Sequence, residues 1–415
     1  MVQLDRFQVV ERHRPSLGDF AIRPPSVERP PLEPGVNELR TLKLDLSSTC
    51  NIACDYCFVD EGKALPGPKV MTEKTVIDAI NWFADKTQTQ SSVVVLFGGE
   101  PLLNKKGFAA ACREISQLRA SGQDIRLQII SNAMLATDEV CQRLSEAEAT
   151  IMVSVDGNVK NHDLHRRDHQ GRPTYARVMN GLRNLQKHLP ADKIWARATM
   201  TPGFSQLEYF DSLVAIGIRQ ISLGYIDDTP PPEMTVEKFK AEIDELMIQY
   251  ASLIDQHVAI RIHPLGTYLS LIYGKQGRGA SWPRYDCGAA TRIITVAPDG
   301  VLYPCEHAAT ARHTRDWSLG TVVDGISDDL VRKFLGETNR TNKGCASCGK
   351  ASLCDQGCRV VSAVQGTRDQ CHAQENFLSV LWERAQFWYN RLSEERPSTL
   401  LRIVDDKLYN AIRTS

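Results

Sequence analysis

The chain has 415 residues, a formal net charge of −1 and a pI near 6.8, so it offers no basic field for nucleic acid. Its longest apolar runs, such as Val93-Val94-Val95-Leu96-Phe97, are too short to span a bilayer, and Asp5, Arg6, Glu11 and Arg12 interrupt the stretch where a signal peptide needs an apolar core. Neither nucleic acid nor membrane is expected as a partner, and a reducing, cytoplasmic location is expected for the 12 cysteines.

Residues 1–40 contain Pro24-Pro25, Pro30-Pro31 and Pro34 and read as a proline-rich N-terminal extension. From residue 41, strand and helix patterns alternate. Strands are expected at 41–47, 93–97, 126–131, 150–155, 193–199 and 220–226, and helices at 72–87, 104–120, 137–147, 174–188, 205–216 and 234–257. Thr72, Thr137 and Thr235 each precede an acidic residue, which is the composition of a helix start. Such alternation predicts right-handed βαβ units on a parallel sheet across 41–257. Residues 258–286 read as a bridge in which Gly266, Gly274, Gly277 and Gly279 break any long helix. A cysteine-rich segment follows at 287–375. In the C-terminal segment, 376–415, Phe377, Leu378, Leu381, Trp382, Phe387, Trp388 and Leu392 predict a helix packed on the body of the protein.

The chemistry is concentrated in cysteine. Cys50, Cys54 and Cys57 stand at C-x3-C-x2-C spacing in a loop after the first strand. Three thiolates can hold three irons of a [4Fe–4S] cube and leave the fourth open to a small molecule; a zinc site is the bland alternative. A second set comprises Cys287 and Cys305, then Cys345, Cys348, Cys354 and Cys358, then Cys371. Seven cysteines do not divide into closed four-thiolate zinc sites. Cys112 and Cys141 lie in helical patterns outside both sets and read as buried small hydrophobes.

The three-cysteine loop, with Tyr56 before its last cysteine, resembles that of the radical S-adenosylmethionine (SAM) enzymes, and the second set resembles the seven-cysteine SPASM domain that follows many of their barrels. The resemblance implies an α/β fold: a partial (β/α)6 TIM-like barrel, then a small SPASM domain and C-terminal helices. It implies three [4Fe–4S] clusters, one binding SAM at Cys50, Cys54 and Cys57. Of the two auxiliary clusters, the outer would use Cys345, Cys348, Cys354 and Cys371, and the inner Cys287, Cys305 and Cys358. No further cysteine flanks Cys287 as it does in sulfatase-maturing relatives, so the inner cluster has either an open iron or a non-cysteine ligand.

The resemblance also assigns cofactor contacts. Gly98, Gly99 and Glu100, directly after the second strand, match the loop that holds the amino group of SAM. Asn132, Ser154, Asp156 and Arg166 match its ribose and carboxylate contacts, although polar residues at strand ends also cap helices. His162 and His165 read as a solvated or hydrogen-bonded face rather than metal ligands. Glu306, beside Cys305, corresponds to an acidic residue thought to take the substrate proton. The implied activity is hydrogen-atom abstraction by a 5′-deoxyadenosyl radical, supported by an external electron donor such as flavodoxin or ferredoxin. The substrate is expected to be a ribosomally made peptide or protein, with or without a leader sequence, that receives a thioether, C–C or C–O crosslink. The alternatives are an anaerobic sulfatase-type formylglycine maturase, a small-molecule cofactor-pathway enzyme, or a non-catalytic electron carrier.

Overall fold

The structure, a computed structural model, describes residues 39–87, 91–226, 231–277, 287–310, 315–338, 357–366, 377–405 and 408–409. In chain order the first half contains β1 (Thr41–Ser47), β2 (Ala53–Cys54), α1 (Glu73–Thr87), β3 (Ser92–Gly98), α2 (Lys105–Ala120), β4 (Ile125–Ser131), α3 (Asp138–Glu146), β5 (Thr150–Ser154), α4 (Val159–His165) and β6 (Arg166–Arg167). There follow α5 (Tyr175–His188), β7 (Ile194–Met200), α6 (Gln206–Ala215), β8 (Gln220–Tyr225), α7 (Val236–Asp255), β9 (Arg261–His263) and α8 (Leu265–Gly277). All six expected strand–helix units are present, with boundaries within two residues of those read from the sequence. The threonine starts are caps: Thr137 Oγ1 accepts from Val140 N and Thr235 Oγ1 from Lys238 N, while Thr72 Oγ1 accepts from Thr75 N at 3.1 Å.

The strands lie in the order β1-β3-β4-β5-β7-β8-β9, and each neighbouring pair is parallel. When strands follow each other in sequence through right-handed crossovers, every helix falls on the same face and the sheet curls around the other. On β1, Leu42, Leu44 and Leu46 are fully buried toward the helices. Each such side chain contributes roughly 1.5–3 kcal/mol of hydrophobic stabilisation. Lys43, Asp45 and Ser47 alternate with them and face the concave side.

Two expectations are corrected. Residues 258–286 are not broken by glycine: β9 adds a further parallel strand, and α8 runs through Gly266 and Gly274. Leu265, Tyr268, Leu269 and Ile272 bury one face of α8 at helical spacing, which outweighs the cost of about 1 kcal/mol per helical glycine. In the C-terminal stripe Phe387 is 43% exposed, and the Arg384 guanidinium lies over its ring at 3.9 Å. The guanidinium covers the ring in place of the body of the protein.

The cysteine-rich half contains β10 (Ile293–Val296), β11 (Val301–Tyr303), α9 (Glu306–Ala309), β12 (Gly320–Thr321), β13 (Gly325–Ile326), α10 (Asp328–Glu337) and α11 (Arg359–Gln365). β10 pairs in parallel with the free edge of β1, Lys43 opposite Thr295, and β11, β12 and β13 extend the same sheet antiparallel. Cys305 and α9 are thereby placed beside β1. Two last helices, α12 (Leu378–Glu395) and α13 (Pro397–Val404), complete the described fold. α12 packs on α7 and α8 through buried Trp382 and Trp388, and Trp388 Nε1 donates to Asp244 Oδ1 at 2.7 Å. No helix among the described residues is long and apolar enough to cross a membrane.

Candidate active site at the cysteine loop

The loop bearing Cys50, Cys54 and Cys57 leaves the C-terminal end of β1 and is fixed from several strand ends. Glycine is required on one side. Gly99 N donates to Ser47 O (2.7 Å) and Glu100 N to Thr49 O (2.8 Å), and a Cβ at Gly99 would lie 2.3 Å from Thr49 O. Gly98 has φ +126°, and a Cβ there would meet Ser47 O at 2.5 Å. The glycine pair therefore lets the cysteine loop lie directly on the end of β3.

Glu100 is buried and accepts from Leu102 N (3.0 Å), Ser131 Oγ (2.8 Å) and Asn132 N (2.8 Å). Burial outweighs these donors and pushes its carboxyl up to about 7. Asn132 turns its side chain to the loop: Nδ2 donates to Asn51 Oδ1 (2.7 Å) and lies 3.9 Å from Cys50 Sγ.

The opposite side is held by a strap. β2 and β6 pair antiparallel, Ala53 with Arg167 and Cys54 with Arg166. The His165 ring pairs with Asp55 Oδ2 at 2.7 Å, and the His169 ring donates to Cys50 O at 2.9 Å. Beneath the strap, Arg166 Nε and Nη2 donate to Asp156 Oδ2 (2.7 Å) and Oδ1 (3.1 Å). Tyr56 Oη donates to Oδ2 as well, and Thr199 N to Oδ1 at 2.9 Å. All four acceptor positions of Asp156 are thus used within the chain. Ser154 is half-buried on the lumen face of β5, in register with Arg197. His162 is fully buried beside this cluster, its Nδ1 accepting from Asp156 N at 3.3 Å and its Nε2 3.0 Å from Thr174 Oγ1. Of the two environments expected for it, the hydrogen-bonded one is found.

The thiol environment fits an iron–sulfur cluster. Burial pushes Cys50 up to about 12 and Cys54 up to about 11, so the free thiols are protonated and become thiolates only with a cation to hold them. Donors approach all three sulfurs: Asn132 Nδ2 at Cys50, Arg166 Nη1 3.8 Å from Cys54, and Glu61 N 3.3 Å from Cys57. Such contacts suit charged sulfurs and tune a cluster's potential.

On the other face of β1 lies the second cysteine group. Cys287 and Cys358 both add to the upward push of burial on Cys305, so the three lie within electrostatic reach of one another. Cys345, Cys348, Cys354 and Cys371 lie outside the described residues. Glu306 follows Cys305 and forms a mostly buried ion pair with Lys43. Burial alone would raise the Glu306 carboxyl, but Lys43 outweighs it and holds Glu306 below the usual carboxylate range.

Residues 44–209 match the sequence profile of the Radical SAM superfamily. The chain carries a radical SAM domain. That class of domain implies a [4Fe–4S] cluster and SAM, and the cysteine loop lies within the matched residues. The chain is 26% identical over 249 residues to a serine-type anaerobic sulfatase-maturating enzyme of Bacteroides thetaiotaomicron, covering 59% of this chain and 53% of that protein. It is 22% identical over 342 residues to a serine-type enzyme of the same name from Klebsiella aerogenes, covering 80% and 83%. Among solved structures, native anSMEcpe with bound AdoMet superposes with a TM-score of 0.66 at 18% identity, covering 85% of this chain and 100% of that one. Streptococcus suis SuiB bound to precursor peptide SuiA superposes at 0.57 and 14% identity, covering 78% and 73%. These superpositions show the same fold.

Sequence reading passed over Lys43, Asp45 and Tyr56. Leu42-Lys43-Leu44-Asp45-Leu46 reads as an apolar stretch, yet its strict alternation of leucine with charge is the signature of a strand with one face on a lumen. Tyr56 could have been found only through Asp156, 100 residues away in sequence.

Proposed function

We propose that this chain is a radical SAM/SPASM maturase that oxidises a side chain in a peptide or protein. When bound, the cluster at Cys50, Cys54 and Cys57 with SAM supplies a 5′-deoxyadenosyl radical, which takes a hydrogen atom from the substrate. The protein's own part is positional. Gly98, Gly99, Glu100, Asn132 and Ser154 would hold SAM, with Oδ2 of Glu100 keeping an acceptor position for its ammonium group. Asp156 and Arg166 would act by fixing the loop through Tyr56 and Cys54. Glu306 would accept a substrate proton while Cys287, Cys305 and Cys358 hold the inner auxiliary cluster, whose iron takes the accompanying electron. Cys345, Cys348, Cys354 and Cys371 would hold the outer one.

The observation that carries this reading is the placement of Glu306. It is ionised by Lys43 inside the barrel and adjacent to Cys305, where a base can couple proton loss to electron loss. The relatives, named for sulfatase maturation, favour formylglycine formation over the crosslinking expected from sequence. Crosslinking stays as the second reading because no cysteine flanks Cys287, which favours an inner cluster open to a substrate atom.

The test uses anaerobically reconstituted full-length protein, dithionite, SAM and synthetic peptides carrying one Ser or one Cys. Loss of two hydrogens with reactivity toward a hydrazide indicates formylglycine chemistry; the same loss without an aldehyde indicates a crosslink. Glu306→Gln should lower modified peptide per 5′-deoxyadenosine about a hundredfold while keeping the parental iron content. A parental ratio removes Glu306 as the base.

A further inference from the structure

Lys43, Asp45 and Ser47 share the concave face of β1. Lys43 ends on Glu306, and Ser47 Oγ accepts from Thr49 N (3.3 Å) at the base of the cysteine loop. Asp45 stands between them, two residues or about 6.6 Å along the strand from each. It is fully buried, and neither of its carboxyl oxygens has a hydrogen-bond partner among the described residues. Thr295 lies opposite Lys43 on β10, so its side chain shares that face; it too is fully buried with Oγ1 unpartnered.

Buried polar groups without partners are rare and unfavourable. Two of them on adjacent strands, both turned to the lumen between the cysteine loop and Glu306, call for a bound molecule that completes them. Their spacing and chemistry suit the main chain of an extended peptide, which presents carbonyls and amide N–H groups alternately. The aromatic rings of Phe58 and Phe97 stack at 5.9 Å on the same wall, Phe97 being the register partner of Asp45 on β3. They supply an apolar flank against which a main chain is desolvated.

We propose that Asp45 and Thr295 bind the main chain of the peptide substrate, holding the reacting residue between the SAM-binding loop and Glu306. This rests on the maturase reading and adds two substrate-positioning residues to it. The carboxyl group of Asp45 donates to a substrate carbonyl, and the Thr295 hydroxyl bonds a neighbouring amide. Burial, with a further push from Glu306 against the pull of Lys43, raises the Asp45 carboxyl to about 8, so it carries the proton it donates at neutral pH. Lys43 on the same strand, Glu306 from α9 and Tyr303 from β11 are the charged or titratable groups that face it.

The experiment measures KM and kcat of reconstituted full-length enzyme with the Ser- and Cys-containing peptides above. Asp45→Leu and the near-isosteric Thr295→Val should each raise KM about tenfold, the loss of one hydrogen bond to a buried partner. Asp45→Asn, which still offers a donor and an acceptor, should stay within about threefold of the parent. The parental KM should rise as pH passes about 8, where Asp45 loses its proton, and Asp45→Asn should show no such rise. Parental KM in Asp45→Leu, or a fall in kcat with KM unchanged, overturns the binding role. A parent that modifies neither peptide overturns the maturase reading and this inference with it; a parent that modifies them while Asp45→Leu matches its KM overturns the inference alone.

Discussion

Asp156→Asn separates a scaffold role for this carboxylate from a direct contact with SAM. Asp156 is 1% exposed and faces Arg166, which is 7% exposed, in a two-pronged ion pair at 2.7 and 3.1 Å. An asparagine keeps the shape but turns an NH2 toward the guanidinium, leaving a buried charge without its counter-ion. Removing one partner of a buried pair costs about 3–5 kcal/mol. Asp78→Asn supplies the scale, because its partner Lys74 is 83% exposed and such surface pairs are worth about 0.3–0.5 kcal/mol. The urea midpoints of parent, Asp156→Asn and Asp78→Asn, measured on reconstituted protein with equal unfolding slopes, give the difference directly. Iron content should fall alongside, since Tyr56 loses its acceptor next to Cys57. If Asp156→Asn and Asp78→Asn agree within about 1 kcal/mol, the buried-pair reasoning is wrong and Asp156 is free to serve SAM.

Reconstituted enzyme should hold about twelve irons in three [4Fe–4S] clusters, and Cys54→Ala about eight, with SAM cleavage abolished; four irons in the parent, or cleavage at the parental rate in the variant, contradicts the ligand division. His162 predicts an acid-sensitive fold. Burial first, and Arg166 next, lower its pKa from 6.5 to about 4, so the folded state holds the neutral ring while the unfolded chain takes up a proton below 6.5. Stability present above pH 6.5 is therefore lost as pH falls toward 4, by about 3 kcal/mol for a shift of this size, and His162→Gln should flatten that slope in urea titrations across the window.

The barrel was legible because each of its units carries an independent signal. Apolar alternation marks the strands, and threonine caps mark three of the helix starts. What escaped is the part that depends on packing between distant segments. Glycine content pointed away from α8, whose stability comes from Leu265, Tyr268, Leu269 and Ile272 lying against α7 and α12, a contact that no local window contains. Likewise nothing in 293–296 announces that β10 will extend the barrel sheet along the edge of β1 rather than begin a separate domain.

The site divides the same way. Covalent ligands need a fixed spacing along the chain, so three cysteines at Cys50, Cys54 and Cys57 can be read directly. Residues that act through space carry no such constraint. Asp156 and Arg166 were assigned as SAM contacts because they sit at strand ends, but the chain itself uses all four acceptor positions of Asp156, two of them on Arg166. The arrangement makes physical sense for a loop whose cysteines must keep one geometry while a small molecule binds beside them. A hydrogen-bonded strap from β6, a buried ion pair and two glycines under Thr49 restrain the loop from three directions. Lys43 and Asp45 reverse the lesson: leucine alternation was visible, and only the barrel's curvature, which turns the other face of β1 inward, shows that the charges between the leucines belong to the reaction chamber.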